Sequence, residues 1–103
     1  MGGETVFSAY INGPDNIRVG QEAEYELVGS PEVEGNVTYN IDNLKLAYFV
    51  ITNDKGKIIK QDSFSGKTCR IKANEDNELK PFVLTAIYNG IEYTKTIKII
   101  PLW

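Results

Sequence analysis

The feature that most constrains the fold of this chain is an apolar–polar alternation with a period of two residues. Ala23-Glu24-Tyr25-Glu26-Leu27 alternates apolar residues with acids, and Cys69-Arg70-Ile71-Lys72-Ala73 repeats the pattern with bases. Because side chains of a β-strand point alternately to opposite faces, each stretch predicts a strand with one buried and one solvated face. No ten-residue stretch has the spacing of an amphipathic helix, so the chain is predicted to be all-β.

A two-residue hairpin is predicted near the end of the chain. Asn89-Gly90 separates 82–88 from 91–100, two stretches rich in β-branched and aromatic residues. Both central residues of such a turn need positive φ, which Asn and Gly tolerate. Pairing Tyr88 with Ile91 makes one face of the hairpin apolar except for Lys95, which is therefore predicted to lie near a sheet edge or a strand end.

Turn signals divide the chain into seven predicted strands. The stretch 30–43 contains Pro31 and Gly35 and is predicted to be a long connection that can hold one short strand at 37–41. Many short strands between turns predict an antiparallel sandwich or barrel, of which we expect the two-sheet sandwich. The predicted strands are 5–12 with 17–19, 21–28, 45–52, 57–64, 68–73, 82–88 and 91–100. The predicted core comprises Ala23, Tyr25, Leu27, Phe49, Cys69, Ile71, Phe82, Leu84, Ala86, Ile97 and Ile99.

Length and composition favour one small globular domain. The chain has 103 residues, of which 42% are hydrophobic and 24% charged. Residues 4–103 are predicted to form a single domain, and residues 1–3 a cloning remnant. No apolar run approaches the ~18 residues of a membrane span, so no membrane insertion is expected. Because the net charge is −3 and the lysines are scattered, nucleic acid is not an expected partner either.

The residues needed for common catalytic and metal sites are scarce. The chain has no His and one cysteine, Cys69, so it lacks the commonest general base and cannot form an internal disulfide or a thiolate zinc site. Ser8, Ser30, Ser63 and Ser65 lie in no nucleophile-elbow motif. The sequence predicts no enzymatic activity and no cofactor. Cys69 alternates with the outward Arg70 and is expected to point into the core, a reactive thiol being the alternative.

The best metal candidate is a set of acids in one predicted loop. Glu75, Asp76 and Glu78 gather hard oxygen ligands, and Asp15-Asn16 could lie at the same end of a sandwich. Their spacing matches no calcium-loop pattern, and polar loops at sandwich ends are common. The prediction is therefore no metal site, with these acids as weak calcium candidates.

Three other features could serve in ligand binding or glycosylation, or could be ordinary features of the surface. Tyr10, Tyr39 and Tyr48 could form a sugar-binding platform if exposed together, or could be scattered surface residues. Lysines in and near the fourth predicted strand could attract an anionic wall polymer, or could protect a sheet edge from pairing; they are Lys55, Lys57, Lys60 and Lys67. Asn36-Val37-Thr38 is a glycosylation sequon, which matters only in a eukaryotic secretory protein.

Over nearly its whole length the chain resembles bacterial and bacteriophage immunoglobulin-like domains, through short motifs at its beginning and its end. Ile11-Asn12-Gly13-Pro14, followed by Ile17-Arg18-Val19-Gly20-Gln21 and an alternating strand, is similar to the opening of these domains. Phe82-Val83-Leu84-Thr85-Ala86, the Asn89-Gly90 turn and Thr94-Lys95-Thr96-Ile97 resemble their last two strands. The antibody hallmarks are absent: there is no cysteine pair, Phe82 replaces the corner tyrosine, and Leu84 replaces the second cysteine.

The resemblance implies a seven-stranded Greek-key sandwich with a structural or adhesive role. The expected protein is a tail, fibre or capsid-decoration protein of a phage, which could bind host wall glycans weakly. Its expected location is therefore a virion, or alternatively a cell surface. The alternatives are a tandem domain of a bacterial surface adhesin and a glycan-binding module attached to an enzyme. Expected partners are other domains or subunits of the same particle or surface protein.

The resemblance also offers an explanation for an uneven charge distribution. Residues 1–43 carry eight acids and one base, whereas residues 44–103 carry ten bases and six acids. In the immunoglobulin-like fold the second and fifth strands are neighbours. Glu24 is then expected to face Arg70 or Lys72 across a strand pair, where each opposite-charge pair contributes about 0.2–1 kcal/mol.

Overall fold

The computed structural model describes residues 7–42, 46–52, 58–61, 63–74 and 79–101, and over these ranges the chain forms strands and no helix. The strands are β1 (Ser8–Asn12), β2 (Asn16–Arg18), β3 (Glu22–Ser30), β4 (Val37–Ile41), β5 (Ala47–Thr52), β6 (Ile58–Gln61), β7 (Ser63–Gly66), β8 (Thr68–Ala73), β9 (Phe82–Tyr88) and β10 (Ile91–Ile100).

The strands form two five-stranded sheets. The first sheet has the order β1-β3-β8-β5-β6, and the second has the order β2-β10-β9-β4-β7. All pairs are antiparallel except β2 with β10, which is parallel. The all-β, two-sheet prediction is confirmed. The described residues nevertheless form ten strands rather than seven, and the second sheet is mixed rather than purely antiparallel.

The first predicted strand is in fact two strands in different sheets. β1 pairs with β3 in the first sheet, and β2 pairs with β10 in the second. Gly13 and Pro14 connect them beside Tyr25, whose hydroxyl donates a 2.7 Å hydrogen bond to the Pro14 carbonyl. A Cβ on Gly13 would overlap the ring of Tyr25, so the crossing fits only glycine.

The predicted strand 57–64 is likewise divided between the sheets. β6 is the edge strand of the first sheet beside β5, and β7 is the edge strand of the second beside β4. Phe64 of β7 reaches back toward the first sheet, with its ring centroid 6.2 Å from that of Phe49. Phe64 is partly buried and packs against the core, so the chain gains an aromatic contact where it changes sheets.

The stretch 37–41 is an inner strand and not merely part of a connection. β4 lies between β9 and β7, and its Val37, Tyr39 and Ile41 are buried. The period-two pattern was present in the sequence, but the preceding Pro31 and Gly35 favoured a loop.

The predicted hairpin is confirmed in register and in turn conformation. Tyr88 pairs with Ile91, and the pairing continues to Phe82 with Ile97. Asn89 and Gly90 have φ values of 52° and 78°, as a type I′ turn requires.

The core lies between the two sheets. Ten of the eleven predicted core residues are buried, whereas Ala23, near the start of β3, is partly buried and packs against the core. Nine further residues belong to the core and were not predicted from the sequence. They are Ile11, Ile17, Val33, Val37, Tyr39, Ile41, Leu46, Ala47 and Ala73.

The described chain enters and leaves the sandwich at opposite ends. Ser8 pairs with Ser30 at the end where the Phe7 ring contacts Tyr88, with centroids 5.6 Å apart. Ile100 pairs with Arg18 at the other end. The ten residues of β10 run between the two ends, which corresponds to roughly 30 Å at about 3.3 Å per residue.

Candidate functional site

The outer face of the first sheet carries charges that pair with one another. Glu22 lies opposite Lys72, and Glu24 lies opposite Arg70. The Arg70 guanidinium lies 3.8 Å from a Glu22 carboxylate oxygen and 3.6 Å from a Glu24 oxygen. The predicted contact across neighbouring strands is confirmed. These charges therefore account for part of the acidic–basic division of the chain without a bound partner.

The outer face of the second sheet has an uncharged centre. Inward residues of β4 and β9 are buried and inward residues 93–99 of β10 are buried or partly buried, so the residues between them point outward. We call these outward residues and those of β7 the neutral face; they are Thr38, Asn40, Ser63, Ser65, Val83, Thr85, Ile87, Thr94 and Thr96. Glu92 pairs with Ile87 and borders this face on β10, and Lys98 lies on β10 beyond its other end. Depletion of charge is typical of the centre of a protein interface, so the neutral face is a candidate contact surface.

Lys95 forms an ion pair at the edge of the second sheet. β2 pairs only with residues 98–100 of β10, so among the described strands none pairs with β10 on that side at Lys95, which lies near a sheet edge as predicted. The Lys95 ammonium lies 2.5 Å from the Asp15 carboxylate. The hydrogen bond and the charge of Lys95 lower the pKa of Asp15 below its ordinary value of 3.8. Asp15 is thus bound to the protein's own lysine, which reduces its availability as a metal ligand.

The weak calcium candidates Glu75, Asp76 and Glu78 lie outside the described residues. Among the residues that are described, no group of three or more His, Cys, Asp or Glu side chains could hold a metal ion.

The three tyrosines do not form an exposed aromatic platform. Tyr10 is 60% exposed, but Tyr39 is fully buried and Tyr48 is 7% exposed. The sugar-platform interpretation is therefore wrong for this set. Tyr39 lies on an inward position of β4, where a large aromatic side chain fills the space between the sheets.

Tyr39 has a structural role that the sequence did not predict. Its hydroxyl accepts a 3.0 Å hydrogen bond from the Leu27 amide and donates one of 2.7 Å to the Lys67 carbonyl. The β3–β8 pairing ends at Glu26 with Thr68, so Leu27 and Lys67 would be the next pair. The hydroxyl thus replaces a ladder hydrogen bond that the backbones do not make. Burial raises the pKa of Tyr39 to about 12, which keeps this hydroxyl protonated.

A cleft opens where β3 separates from β8. It has a volume of ≈ 150 Å³ and is lined by Glu26, Leu27, Val28, Gly29, Glu32, Val33 and Lys67. Four residues of β3 extend past the last pair with β8, and three of them, Leu27, Val28 and Gly29, line one wall of the cleft. The lining residues carry two carboxylates and a lysine beside apolar side chains.

The remaining candidate reactive or binding residues, namely the cysteine, the serines and the lysines, do not form a common site among the described residues. Cys69 is buried, and burial, followed by the nearby charge of Glu24, raises its thiol pKa to about 12, so its reactive thiolate is scarce at neutral pH. Ser8, Ser30, Ser63 and Ser65 are exposed on strands. Lys67 borders the cleft, while Lys55, Lys57 and the Lys60 side chain lie outside the described residues.

A search for helices that could span a membrane found none in the part of the chain that the structure describes. The sequence matches no protein-family model, and no curated protein matches it.

Proposed function

We propose that the protein is a non-enzymatic, immunoglobulin-like structural module of a phage virion protein. Support for the fold comes from strand order. In immunoglobulin constant domains, strands A, B, E and D form one sheet, and C, F and G form the other. Taken in chain order, β1, β3, β4, β5, β8, β9 and β10 correspond to A through G and have these neighbours. β2 is then an additional edge strand beside G, and β6 and β7 are an insertion between D and E.

The observation that carries the structural role is the position of the two chain ends. A module whose chain enters at one end and leaves at the other can connect neighbouring parts of a fibre or tail in line. Tension along the module would act parallel to β2 and β10, which run in the same direction and pair near the end where β10 leaves the domain. Their hydrogen bonds would then be loaded together rather than one after another.

A tandem domain of a bacterial surface adhesin is the second candidate, because the same end-to-end geometry suits an array. The complete gene and its neighbours would distinguish it from a virion protein. A glycan-binding module attached to an enzyme has less support, since Tyr39 and Tyr48 are buried.

Single-molecule pulling of a tandem array tests the structural role. The Val19 amide donates a 3.0 Å hydrogen bond to the Ile100 carbonyl, and Val19→Pro removes that donor. We expect V19P to unfold at a lower force than the wild type, whereas Val19→Ala, which keeps the amide, should change the force much less. Equal unfolding forces for V19P and V19A would contradict the proposal that the β2–β10 pair resists tension.

A further inference from the structure

The backbone polar groups of Gly29 point into the cleft beside β3. In an antiparallel strand, the N–H and C=O of one residue point to the same side, and the side alternates along the chain. The Gln21 carbonyl accepts from the Ala73 amide on the β8 side, whereas the Gln21 amide donates to the Arg18 carbonyl. The Leu27 amide donates to the Tyr39 hydroxyl, which donates in turn to the Lys67 carbonyl on the β8 side. Within β3, residues 23, 25, 27 and 29 therefore direct their backbone groups toward the line of β8.

This line has no strand beside Gly29. β8 begins at Thr68, opposite Glu26, and Lys67 already bonds through its carbonyl to the Tyr39 hydroxyl. Among the described residues, no hydrogen-bond partner is found for the Gly29 N–H or C=O. A donor and an acceptor thus lie side by side at the wall of a cleft, spaced as in a sheet.

We propose that this cleft binds a short extended polypeptide segment, which adds beside the end of β3 as one more strand. One ligand residue would donate its N–H to the Gly29 carbonyl and accept the Gly29 N–H at its own carbonyl. The cleft, at ≈ 150 Å³, is small and accommodates only a short part of such a segment. The rest of the segment would extend over the surface.

Charge favours a segment with a basic residue. Glu26 and Glu32 line the cleft against one base, Lys67. An incoming lysine or arginine could approach the two carboxylates, whereas an acidic segment would be repelled by them. The site is independent of the tension-bearing role proposed above, because it lies on β3 and not on β2 or β10.

The test uses a capped peptide of defined sequence, acetyl-Thr-Val-Lys-Val-Thr-amide, titrated into the ¹⁵N-labelled domain. Because one pair of backbone hydrogen bonds contributes little, we expect a dissociation constant of about 1 mM or weaker. The Gly29 amide should shift downfield and exchange more slowly with solvent. A matched peptide that carries an N-methyl group on the lysine nitrogen of the backbone lacks the donor and should bind about two- to tenfold more weakly.

Charge variants test the preference for a basic segment. Glu32→Lys should weaken binding of the lysine peptide several-fold, while Glu34→Lys, two residues along and outside the cleft lining, should weaken it less. The proposal is overturned if the Gly29 amide does not respond at about 10 mM peptide. It is also overturned if the shifts map to the free edge of β1 or to the neutral face, or if the N-methylated peptide binds equally well.

Discussion

At the scale of single residues, Tyr39 joins the two sheets through one hydroxyl. The group satisfies the buried amide of Leu27 and the carbonyl of Lys67 at the point where backbone pairing stops. Removing the hydroxyl leaves a buried donor without a partner, which costs more than the hydrogen bond itself contributes.

We therefore expect Tyr39→Phe to lower the free energy of unfolding by about 1–3 kcal/mol. Urea denaturation followed by fluorescence measures the change. Tyr10→Phe is the matched control, because Tyr10 is 60% exposed, and it should stay within about 0.5 kcal/mol of the wild type. A Y39F variant as stable as Y10F would show that water satisfies the Leu27 amide.

The ion pair between Asp15 and Lys95 predicts a pH dependence of stability. The folded protein holds the pKa of Asp15 below 3.8, so it binds the proton less readily than the unfolded chain does. The contribution of the pair is then complete above about pH 4 and is lost as the pH falls through the folded-state pKa.

Urea titrations of the wild type and Asp15→Asn at several pH values test this dependence. The wild type should be the more stable protein at pH 6, and the difference should decrease steadily below pH 4. A difference that is independent of pH from 6 to 2 would mean that the Asp15 carboxylate contributes no charge-dependent stability.

At the scale of elements, the β3–β8 pair shows how outward charges support a strand pair. Arg70 lies between Glu22 and Glu24, all three side chains are well exposed, and water and salt screen their attraction. The contribution of these ion pairs to stability is thus small. It is favourable, because the register of β3 and β8 places opposite charges next to each other.

Glu24→Lys should destabilise the domain by about 0.2–1 kcal/mol at low salt, and Arg70→Glu should do the same. The double variant should recover most of the loss, because the pair is restored with its signs exchanged. Chemical denaturation at low and high salt provides the readout, with the effects expected to shrink at high salt. Strictly additive losses in the double variant would argue against a direct contact.

At the scale of the whole molecule, the neutral face is our candidate surface for weak binding of another molecule, because its centre carries no charge. A module present in many copies on one particle can use low affinity, because multiple attachment raises the overall strength of binding. The isolated domain should then be a monomer that binds cell-surface polymers weakly at most.

Titration of the labelled domain with bacterial wall glycans should give small shifts grouped on the neutral face. Thr85→Lys, at the centre of that face, should reduce them, whereas Thr68→Lys, on the outer side of the other sheet, should not. Micromolar or tighter binding, or turnover of a glycan or peptide by the domain, would contradict the accessory role.

The sequence by itself determined the features that depend on neighbouring residues. The period-two pattern predicts the strands and ten of the buried core residues, because alternation fixes which side chains share a face. The dipeptide Asn89-Gly90 predicts the hairpin register, since few residues adopt positive φ at both turn positions.

Only the tertiary structure decided which sheet each strand joins. Alternation is the same in either sheet, so it could not separate β1 from β2, or β6 from β7. The inter-sheet role of Tyr39, the cleft at Gly29 and the Asp15–Lys95 pair all join residues distant in sequence. They arise where strand lengths differ and a backbone partner is missing, which depends on how the sheets pack and not on any local pattern.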